Sequence, residues 1–424
     1  MKFESSLLRE SYQKITHKSG LRIYVFPKKL TTTYACLAAA FGSVDRTFRA
    51  GGAKKWTTVP AGTAHYLEHK LFDSPDGSDP FARFGALGAD LNAYTNYTST
   101  AYHFSTPEHF DLALEELFRL VLNPYFTAQT VQKERGIIAE EIRSGMDFPA
   151  ERCMQNALEG LYRLCPVREE IAGTEQSIAK ITADTLYECH RLFYQPSNLI
   201  LCVCGDVTPE QVEKIADKML PTPCPAIPVE RAPVNEPEDA CKSRMEVRMP
   251  VAKPLFYLAT KDPILPADPA ARLRRDAVAT LLSDTLFSRS SAFYARLFEE
   301  GLLTPSFSAG YSGTDRFAMH TVCGESPDPD EVYRRVLQAL ENAKKNGLDP
   351  ADFARAKRCL LADEIRAFDS TEEIGYNLLS FALEGVDLFS YLPLVESVTL
   401  AECQALLTEL FLPGRSCLSL VLPK

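Results

Sequence analysis

The sequence has no long apolar run and no excess of positive charge. No stretch reaches the roughly 18 consecutive apolar residues of a membrane-spanning helix. The first residues, MKFESSLLRESYQKITHKSG, carry charges throughout, and we therefore expect no secretory signal peptide. The 46 lysines and arginines are outnumbered by 56 aspartates and glutamates, which gives a formal net charge of −10. This balance gives no support to a nucleic-acid partner, and we expect neither a nucleic-acid nor a membrane partner.

Paired cysteine motifs are also missing. The 12 cysteines include no CxxC pair, and Cys202 and Cys204 lie inside the apolar run NLILCVCG. Buried, reduced cysteine fits this pattern better than a disulfide framework, which is typical of short secreted chains. We therefore expect a cytoplasmic protein with free thiols.

The length of the chain and one proline-rich stretch predict two domains. At 424 residues the chain exceeds what one hydrophobic core supports, so two domains of about 200 residues each are expected. Residues 221–237 contain six prolines, and such a stretch favours a semi-rigid linker over helix or sheet. The predicted division is a metal-binding domain at 1–220, a linker at 221–244 and a second, homologous domain without metal at 245–424.

The two halves resemble each other in sequence. Residues 134–143, ERGIIAEEIR, and residues 357–366, KRCLLADEIR, are identical at five of ten positions. A repeat on this scale indicates a duplicated domain, because solenoid periods are far shorter. Strands and helices mix without a regular βαβα alternation: LRIYVFP and TYACLAAAFGSV are typical of strands, and residues 107–122 show helical spacing. The predicted fold class is α+β, with two homologous domains that each pack helices on a mainly antiparallel sheet.

The segment His65-Tyr66-Leu67-Glu68-His69 carries the clearest chemical signal. On a helix, His65 and His69 are four residues apart and project from one face, and Glu68 lies on the same side. Neutral imidazoles suit Zn²⁺, and a nearby carboxylate can take a proton from a water activated by the metal. Most histidines are solvated or held by a core hydrogen bond, but two of only seven at this spacing around a glutamate favour a metal site.

A third ligand is expected from a second helix. Glu134, Glu140 and Glu141 lie in the helical pattern VQKERGIIAEEIRSG. Glu134 and Glu141 share a face because they are seven residues apart, whereas Glu140 is rotated by roughly 100° about the axis. A solvated acidic face would give the same pattern. The residues alone do not choose between Glu140 and Glu141.

Taken together, these motifs resemble the insulinase/pitrilysin family of zinc metallopeptidases, which includes the mitochondrial processing peptidases. The order HxxEH, inverted from HExxH, is the family's signature, and Glu134-Arg135 followed by Glu141 matches its second motif. The resemblance extends along essentially the whole chain and is strongest to short two-domain bacterial members. It implies that His65, His69 and Glu141 bind Zn²⁺, that Glu68 is the catalytic base and that Glu134 supports the site.

The resemblance also implies where substrate binds. The segment LNAYTNYTSTAYHF looks like the family's active-site strand, along which a substrate backbone pairs by β-augmentation. Asn92, Ala93 and Tyr94 are the candidate contacts, although an ordinary sheet strand would have the same alternating, β-rich composition.

One departure from the family pattern concerns the second half. Active single-chain relatives place an arginine and a tyrosine in a pattern like L-R-E-K-x-G-L-x-Y, but here the arginine position falls on Leu297 and the tyrosine position on Thr304. Arg296 is one residue out of register and so faces another direction. Either a paralogous subunit in a dimer supplies the pair, or residues such as Tyr294 or Tyr311 replace it. We favour the partner subunit.

The predicted function is a zinc-dependent endopeptidase that hydrolyses short or unfolded peptides. The main alternative is a non-catalytic scaffold or assembly subunit of a paired complex, since the family includes core subunits that have lost activity. Such subunits generally lose metal ligands, and this chain retains them. A metal-dependent hydrolase acting on a non-peptide substrate would use the same residues.

Overall fold

A computed structural model describes all 424 residues of the chain. Its strands are β1 (Lys2–Ser5), β2 (Glu10–Thr16), β3 (Arg22–Pro27), β4 (Thr33–Ala39), β5 (Thr47–Ala50), β6 (Thr57–Thr58), β7 (Asp90–Thr95), β8 (Thr100–Thr106), β9 (Leu199–Gly205), β10 (Val229–Arg231), β11 (Arg244–Met249), β12 (Leu255–Lys261), β13 (Ser308–Gly313), β14 (Ala318–Glu325) and β15 (Ser416–Pro423).

Helices occupy much of the remaining chain. They are α1 (Thr63–Lys70), α2 (Pro80–Ala86), α3 (Phe110–Leu122), α4 (Ala128–Met146), α5 (Pro149–Leu161), α6 (Glu175–Ile178), α7 (Ala183–Phe193), α8 (Pro209–Met219), α9 (Pro269–Phe287), α10 (Ala292–Glu299), α11 (Pro329–Asn346), α12 (Pro350–Arg366), α13 (Thr371–Glu384), α14 (Tyr391–Ser397) and α15 (Leu400–Leu410). No single helix is long and apolar enough to cross a membrane; by length and composition only, α13 taken together with Leu388–Ser397 across a sharp bend meets the requirement.

The two large sheets share one topology. The first has the strand order β1-β2-β3-β9-β4-β8-β7, and the second has the order β11-β15-β12-β14-β13. In each sheet one neighbouring pair is parallel, β3 with β9 and β11 with β15, and the other pairs are antiparallel. The second sheet therefore repeats the last five strands of the first in the same order. This confirms the predicted α+β class with two similar, mainly antiparallel domains.

The compact units do not follow the predicted sequence boundaries. Unit 1 comprises Met1–Ile142, Glu170–Pro233 and Ile365–Phe389, and unit 2 comprises Arg143–Glu169, Val234–Glu364 and Ser390–Lys424. The predicted division at 1–220 and 245–424 differs from these units because one helix from each half of the sequence belongs to the unit formed mainly by the other half. Helix α5 packs on β11, β12 and β15 of unit 2, and α13 packs on β3, β4 and β9 of unit 1.

The exchanged helices cover sheet faces that would otherwise be exposed. Strands β4 and β9 are buried along their whole length, which requires a covering layer on both sides. Alternate residues of β4, such as Leu37 and Cys36, point into two different cores, and Ile374 and Leu378 of α13 complete the core that contains Cys36. Because an amphipathic helix can cover any apolar face, its sequence pattern does not state which sheet it joins.

The proline-rich stretch is only partly irregular. Val229–Arg231 forms β10, which pairs with β5 in a small three-stranded sheet, so the expectation of no sheet structure in this stretch is wrong at those residues. Within this stretch the chain passes from unit 1 to unit 2 between Pro233 and Val234. All 12 cysteines are free, and eight of them are buried, as the sequence predicts.

Replacing Gly375 of α13 tests how closely this helix packs on the first sheet. A Cβ added at Gly375 would lie 2.3 Å from Cδ1 of Tyr34, and Tyr34 is buried and cannot move aside. We expect Gly375→Ala to lower the free energy of unfolding by about 1–3 kcal/mol through overpacking. A Cβ at Gly85 of α2 would meet no atom within 4 Å, so the control Gly85→Ala should stabilise by up to about 1 kcal/mol.

The measurement is urea denaturation of both variants and the parent. A Gly375→Ala variant that unfolds at the same urea concentration as the parent would contradict close packing of α13 against Tyr34.

Candidate metal centre

The start of α1 is fixed by a glycine. Gly62 precedes the helix with φ of 86°, in the left-handed region that favours glycine. A Cβ at Gly62 would lie 2.4 Å from the carbonyl oxygen of Ala172, so any other residue would push the two backbone segments apart. The Thr63 hydroxyl donates to the Pro60 carbonyl over 2.7 Å. The first turn of α1 is therefore held in one position before its functional side chains begin.

Helix α1 is anchored to α4 by a tyrosine. Tyr66 and Leu67 are fully buried, and the Tyr66 hydroxyl donates to the backbone carbonyl of Val131 in α4. Tyr66 and Leu67 thus pack in the core, while His65 and His69 project from the other side of the helix. This arrangement sets the distance between the histidine-bearing face of α1 and the glutamates of α4.

Three donor atoms from these helices converge. His65 Nε2 lies 3.3 Å from Glu141 Oε1, and His69 Nε2 lies 3.4 Å from Glu141 Oε2. One ligand atom from each of the three residues falls within 4.8 Å of the others. Glu140, the neighbouring carboxylate that the residues alone left open, is not one of the three. The geometry therefore agrees with the assignment of Glu141 that the family pattern implied.

These distances suit a tetrahedral zinc ion. Bonds of about 2.1 Å to nitrogen and oxygen place neighbouring ligand atoms of a tetrahedron about 3.4 Å apart. The observed 3.3 and 3.4 Å match that spacing and exceed the usual range of a hydrogen bond, about 2.7–3.2 Å. Two imidazole nitrogens and one carboxylate oxygen are a donor set that leaves the fourth zinc position open, as in catalytic sites. The residues present fit zinc.

Glu134 orients one of the histidines. His69 Nδ1 lies 3.1 Å from Glu134 Oε1, so the proton on Nδ1 is held by this carboxylate and Nε2 is left as the ligand atom. Glu134 and Glu141 thus contact opposite nitrogens of one ring, two turns apart on α4. The supporting role of Glu134 stays a prediction, and this contact is the one by which Glu134 would support the site.

The ionisable groups of the cluster shift each other's pKa values. Burial alone would lower the pKa of His69, but the hydrogen bond to Glu134 and the charges of Glu141, Glu68 and Glu134 outweigh it, and the pKa is raised. The close contact with His65 lowers the pKa of Glu141, and the charge of His69 adds to this. The metal-free site therefore retains a proton on His69 to a higher pH than a free imidazole would, and metal binding must displace it.

Glu68 is buried beside the cluster and is held by a threonine. Its side chain accepts a hydrogen bond from the Thr95 hydroxyl over 2.5 Å at Oε2. The sequence-based reasoning did not identify Thr95. The sequence did contain a signal for it, because the alternation of β7 puts Leu91, Ala93 and Thr95 on one face. Leu91 belongs to the core that also contains Tyr66 and Leu67 of α1, and Ala93 packs against that core. The face that carries Thr95 is therefore the one that faces α1.

The predicted active-site strand is a hairpin of two strands. Strand β7 is the edge of the first sheet and β8 is internal. The turn between them is closed by the Asn96 side chain, which accepts hydrogen bonds from the Thr98 and Ser99 amides. Asn92 is exposed on β7, and its side chain accepts from the Ala93 amide over 2.8 Å. Tyr94 faces the opposite side from the metal helix and lies 6.1 Å from the ring of Tyr376.

The second half positions its candidate residues differently from the family pattern. Leu297 is buried and Arg296 pairs with Glu300 over 2.9 Å. The Tyr311 hydroxyl donates to Asp262 over 2.7 Å, so this side chain is engaged within unit 2. The ring of Tyr294 stacks on Phe298, with centroids 5.5 Å apart. Thr304, at the tyrosine position, hydrogen-bonds with Ser306 over 2.7 Å.

Comparisons with known proteins show the family to which the chain is similar. Residues 51–175 match the family model described as insulinase (peptidase family M16), and residues 180–360 match the one described as the M16 inactive domain. A zinc protease of Bacillus subtilis, YmfH, which is itself described as uncharacterized, is 35% identical over 99% of both chains. The probable mitochondrial-processing peptidase subunit beta of Arabidopsis thaliana is 24% identical, over 80% of this chain and 67% of the relative.

Solved structures show the same fold. An M16-like peptidase from Alicyclobacillus acidocaldarius superposes with a TM-score of 0.94 at 31% identity, covering 97% of this chain and 98% of the other. A protease from Helicobacter pylori has a TM-score of 0.84 at 20% identity, covering 98% of this chain and all of the other.

Zinc titration of two neighbouring glutamate variants tests the ligand set. Glu141→Gln replaces the carboxylate whose two oxygens face both histidines, and we expect it to lower zinc affinity by roughly 100-fold or more. Glu140→Gln makes the same chemical change one residue away and should bind zinc as the parent does. Competition with a chromogenic chelator measures both affinities. Equal affinities in the two variants would contradict the assignment of Glu141.

Proposed function

This chain belongs to the insulinase (M16) family of peptidases, and from that premise we propose that it is a zinc-dependent endopeptidase that hydrolyses short or unfolded peptides with Glu68 as the general base. The observation that carries the proposal is the convergence of His65, His69 and Glu141 at spacings that suit one zinc ion, with Glu68 on the same helix. Retention of the whole donor set argues against the alternative of a purely structural subunit.

The residues around the site divide the chemistry between them. A bound zinc ion supplies a Lewis acid that polarises the scissile carbonyl and makes a water ligand more acidic. Glu68 takes the proton from the attacking water and delivers it to the leaving amine, since one carboxyl group can act first as base and then as acid. Glu134 keeps the His69 ring oriented through Nδ1.

The edge strand β7 provides the peptide-binding surface in this proposal. An edge strand offers unpaired backbone groups to an extended segment, and main-chain hydrogen bonds then hold the peptide without regard to most of its side chains. Asn92, Ala93 and Tyr94 are the proposed contacts, with the Ala93 amide exchanging its Asn92 partner for a peptide carbonyl. Folded proteins seldom expose an extended segment, which accounts for the proposed preference for short or unfolded peptides.

Substitution of Glu68 tests the peptidase activity. Glu68→Gln keeps the shape of the side chain but cannot accept the proton, and we expect kcat to fall by about 10²–10⁴-fold while zinc content stays at one ion per chain. The assay follows cleavage of a quenched-fluorescent peptide library, with metal content determined on the same samples. Undiminished turnover in Glu68→Gln would refute the role of Glu68. Stoichiometric zinc without any peptide cleavage in the parent would instead favour another hydrolase substrate.

We further propose that a paralogous subunit supplies an arginine and a tyrosine that bind the substrate carbonyl. Leu297 and Thr304 occupy the family's arginine and tyrosine positions, and the hydroxyl of Tyr311 is already donated to Asp262. Donors aimed at the developing oxyanion contribute about 10²–10³-fold to the rate, so the chain by itself should hydrolyse peptides slowly. A dimer that combines this chain's metal site with a partner's donors would restore the rate.

Mixing experiments test the partner. The second chain for this test is any paralogue from the same organism that has the arginine and the tyrosine but no HxxEH, and we expect its addition to raise kcat/KM by roughly 100-fold or more. Light scattering after size exclusion reports complex formation. Full activity of this chain alone would contradict the proposal, and a large loss in Tyr294→Phe would show that Tyr294 replaces the missing donors.

A further inference from the structure

A short series of buried hydroxyl groups lies behind Glu68. Thr95 Oγ1 lies 2.5 Å from Glu68 Oε2 and 3.3 Å from Thr100 Oγ1. The Thr100 hydroxyl, which is fully buried, donates to the Phe41 carbonyl over 2.8 Å. The Tyr194 hydroxyl, which is also buried, contacts Thr100. These groups connect the proposed catalytic base to the interior of unit 1.

The acceptor of each threonine hydroxyl in this series can be assigned. Each threonine hydroxyl has one proton, and an ionised carboxylate can only accept. Because Thr100 gives its proton to Phe41, it has none to offer Thr95, and the Thr95 proton is directed at Glu68. A hydrogen bond to a charged carboxylate is among the stronger ones in proteins. Thr95 therefore holds Oε2 of Glu68 and restricts the rotation of this carboxylate.

The backbone around Thr95 is itself held in place. Thr95 is the last residue of β7 and pairs with Thr100 across the hairpin. The turn that follows is closed by the Asn96 side chain, and the Ser43 amide donates to the Asn96 carbonyl over 3.0 Å. A threonine fixed in this way is a rigid support for a carboxylate on another element, which is what a catalytic group requires to keep its orientation.

We propose that Thr95 is a positioning residue that fixes the Glu68 carboxylate for proton transfer and links its position to the edge strand β7. The inference rests on the proposed peptidase function, in which β7 pairs with the peptide and Glu68 is the base. One strand then carries out both tasks: its middle residues take the substrate backbone, and its last residue aligns the base. A peptide that orders β7 by pairing with it also steadies Glu68 through Thr95.

Three threonine variants separate this role from a structural one. Thr95→Val removes the hydroxyl at nearly constant shape, and we expect kcat to fall roughly 10- to 100-fold with KM within about twofold of the parent. Thr95→Ser restores the hydroxyl and should recover most of the rate. Thr98→Val makes the same substitution in the turn of the same hairpin, where no side-chain hydrogen bond to Glu68 exists, and should leave kcat unchanged. Zinc content and melting temperature are measured for each.

A crystal structure of zinc-free Thr95→Val gives a readout that does not depend on activity, and it should show the Glu68 carboxylate displaced from its parent position. Three results would overturn the inference: kcat of Thr95→Val equal to the parent, no recovery in Thr95→Ser, or a fall in kcat accompanied by loss of zinc. A parent protein that binds zinc but cleaves no peptide, either alone or together with the partner subunit, would instead show that the underlying peptidase function is wrong, before any variant is compared.

Discussion

The position of α1 relative to α4 is the constraint on which the candidate centre depends. The bond from the Tyr66 hydroxyl to the Val131 carbonyl joins the two helices. The approach of Gly62 to the Ala172 carbonyl, which leaves no room for a side chain, fixes the start of α1 against the segment that precedes α6. With α1 fixed at both places, the imidazoles of His65 and His69 meet Glu141. A shift of about 1 Å between the helices would take the donor atoms out of zinc bonding range, because those bonds tolerate only a few tenths of an ångström.

The sequence predicted the metal ligands of the centre better than the residues and helices that hold those ligands in place. Helical spacing was enough to pair His65 with His69, but the choice of Glu141 over Glu140 came from family resemblance, since a rotation of 100° cannot be read without knowing where the other helix lies. The alternation of β7 indicated the face on which Thr95 lies but not its partner, because the contact with Glu68 joins two elements that are distant in sequence. The membership of α5 and α13 was missed for the same reason, because amphipathicity specifies a buried face and not its partner.

The two units show how one topology can keep or lose a function. In unit 1 the close contact with His65 lowers the pKa of Glu141 and keeps this carboxylate ionised. Glu364 stands at the matching place in the repeated sequence, but there burial and the charge of Asp363 raise its pKa. Lys357 occupies the place of Glu134 and donates to the carbonyls of Glu396 and Val398. The same helix has thus become a structural element, in agreement with the match of this half to an inactive domain.

The exchange of α5 and α13 has a consequence for how the gene could have been divided or joined. A break at the proline-rich stretch, the obvious seam in the sequence, would give two polypeptides that each lack one layer of their own sheet. In the intact chain, the strands of the first sheet and the helix α1 are synthesised long before α13. The second face of this sheet therefore stays uncovered until residues 371–384 have left the ribosome. Each half of the sequence therefore supplies a helix that covers the sheet of the other half, and the half that carries no metal ligands completes the core of the metal-binding unit.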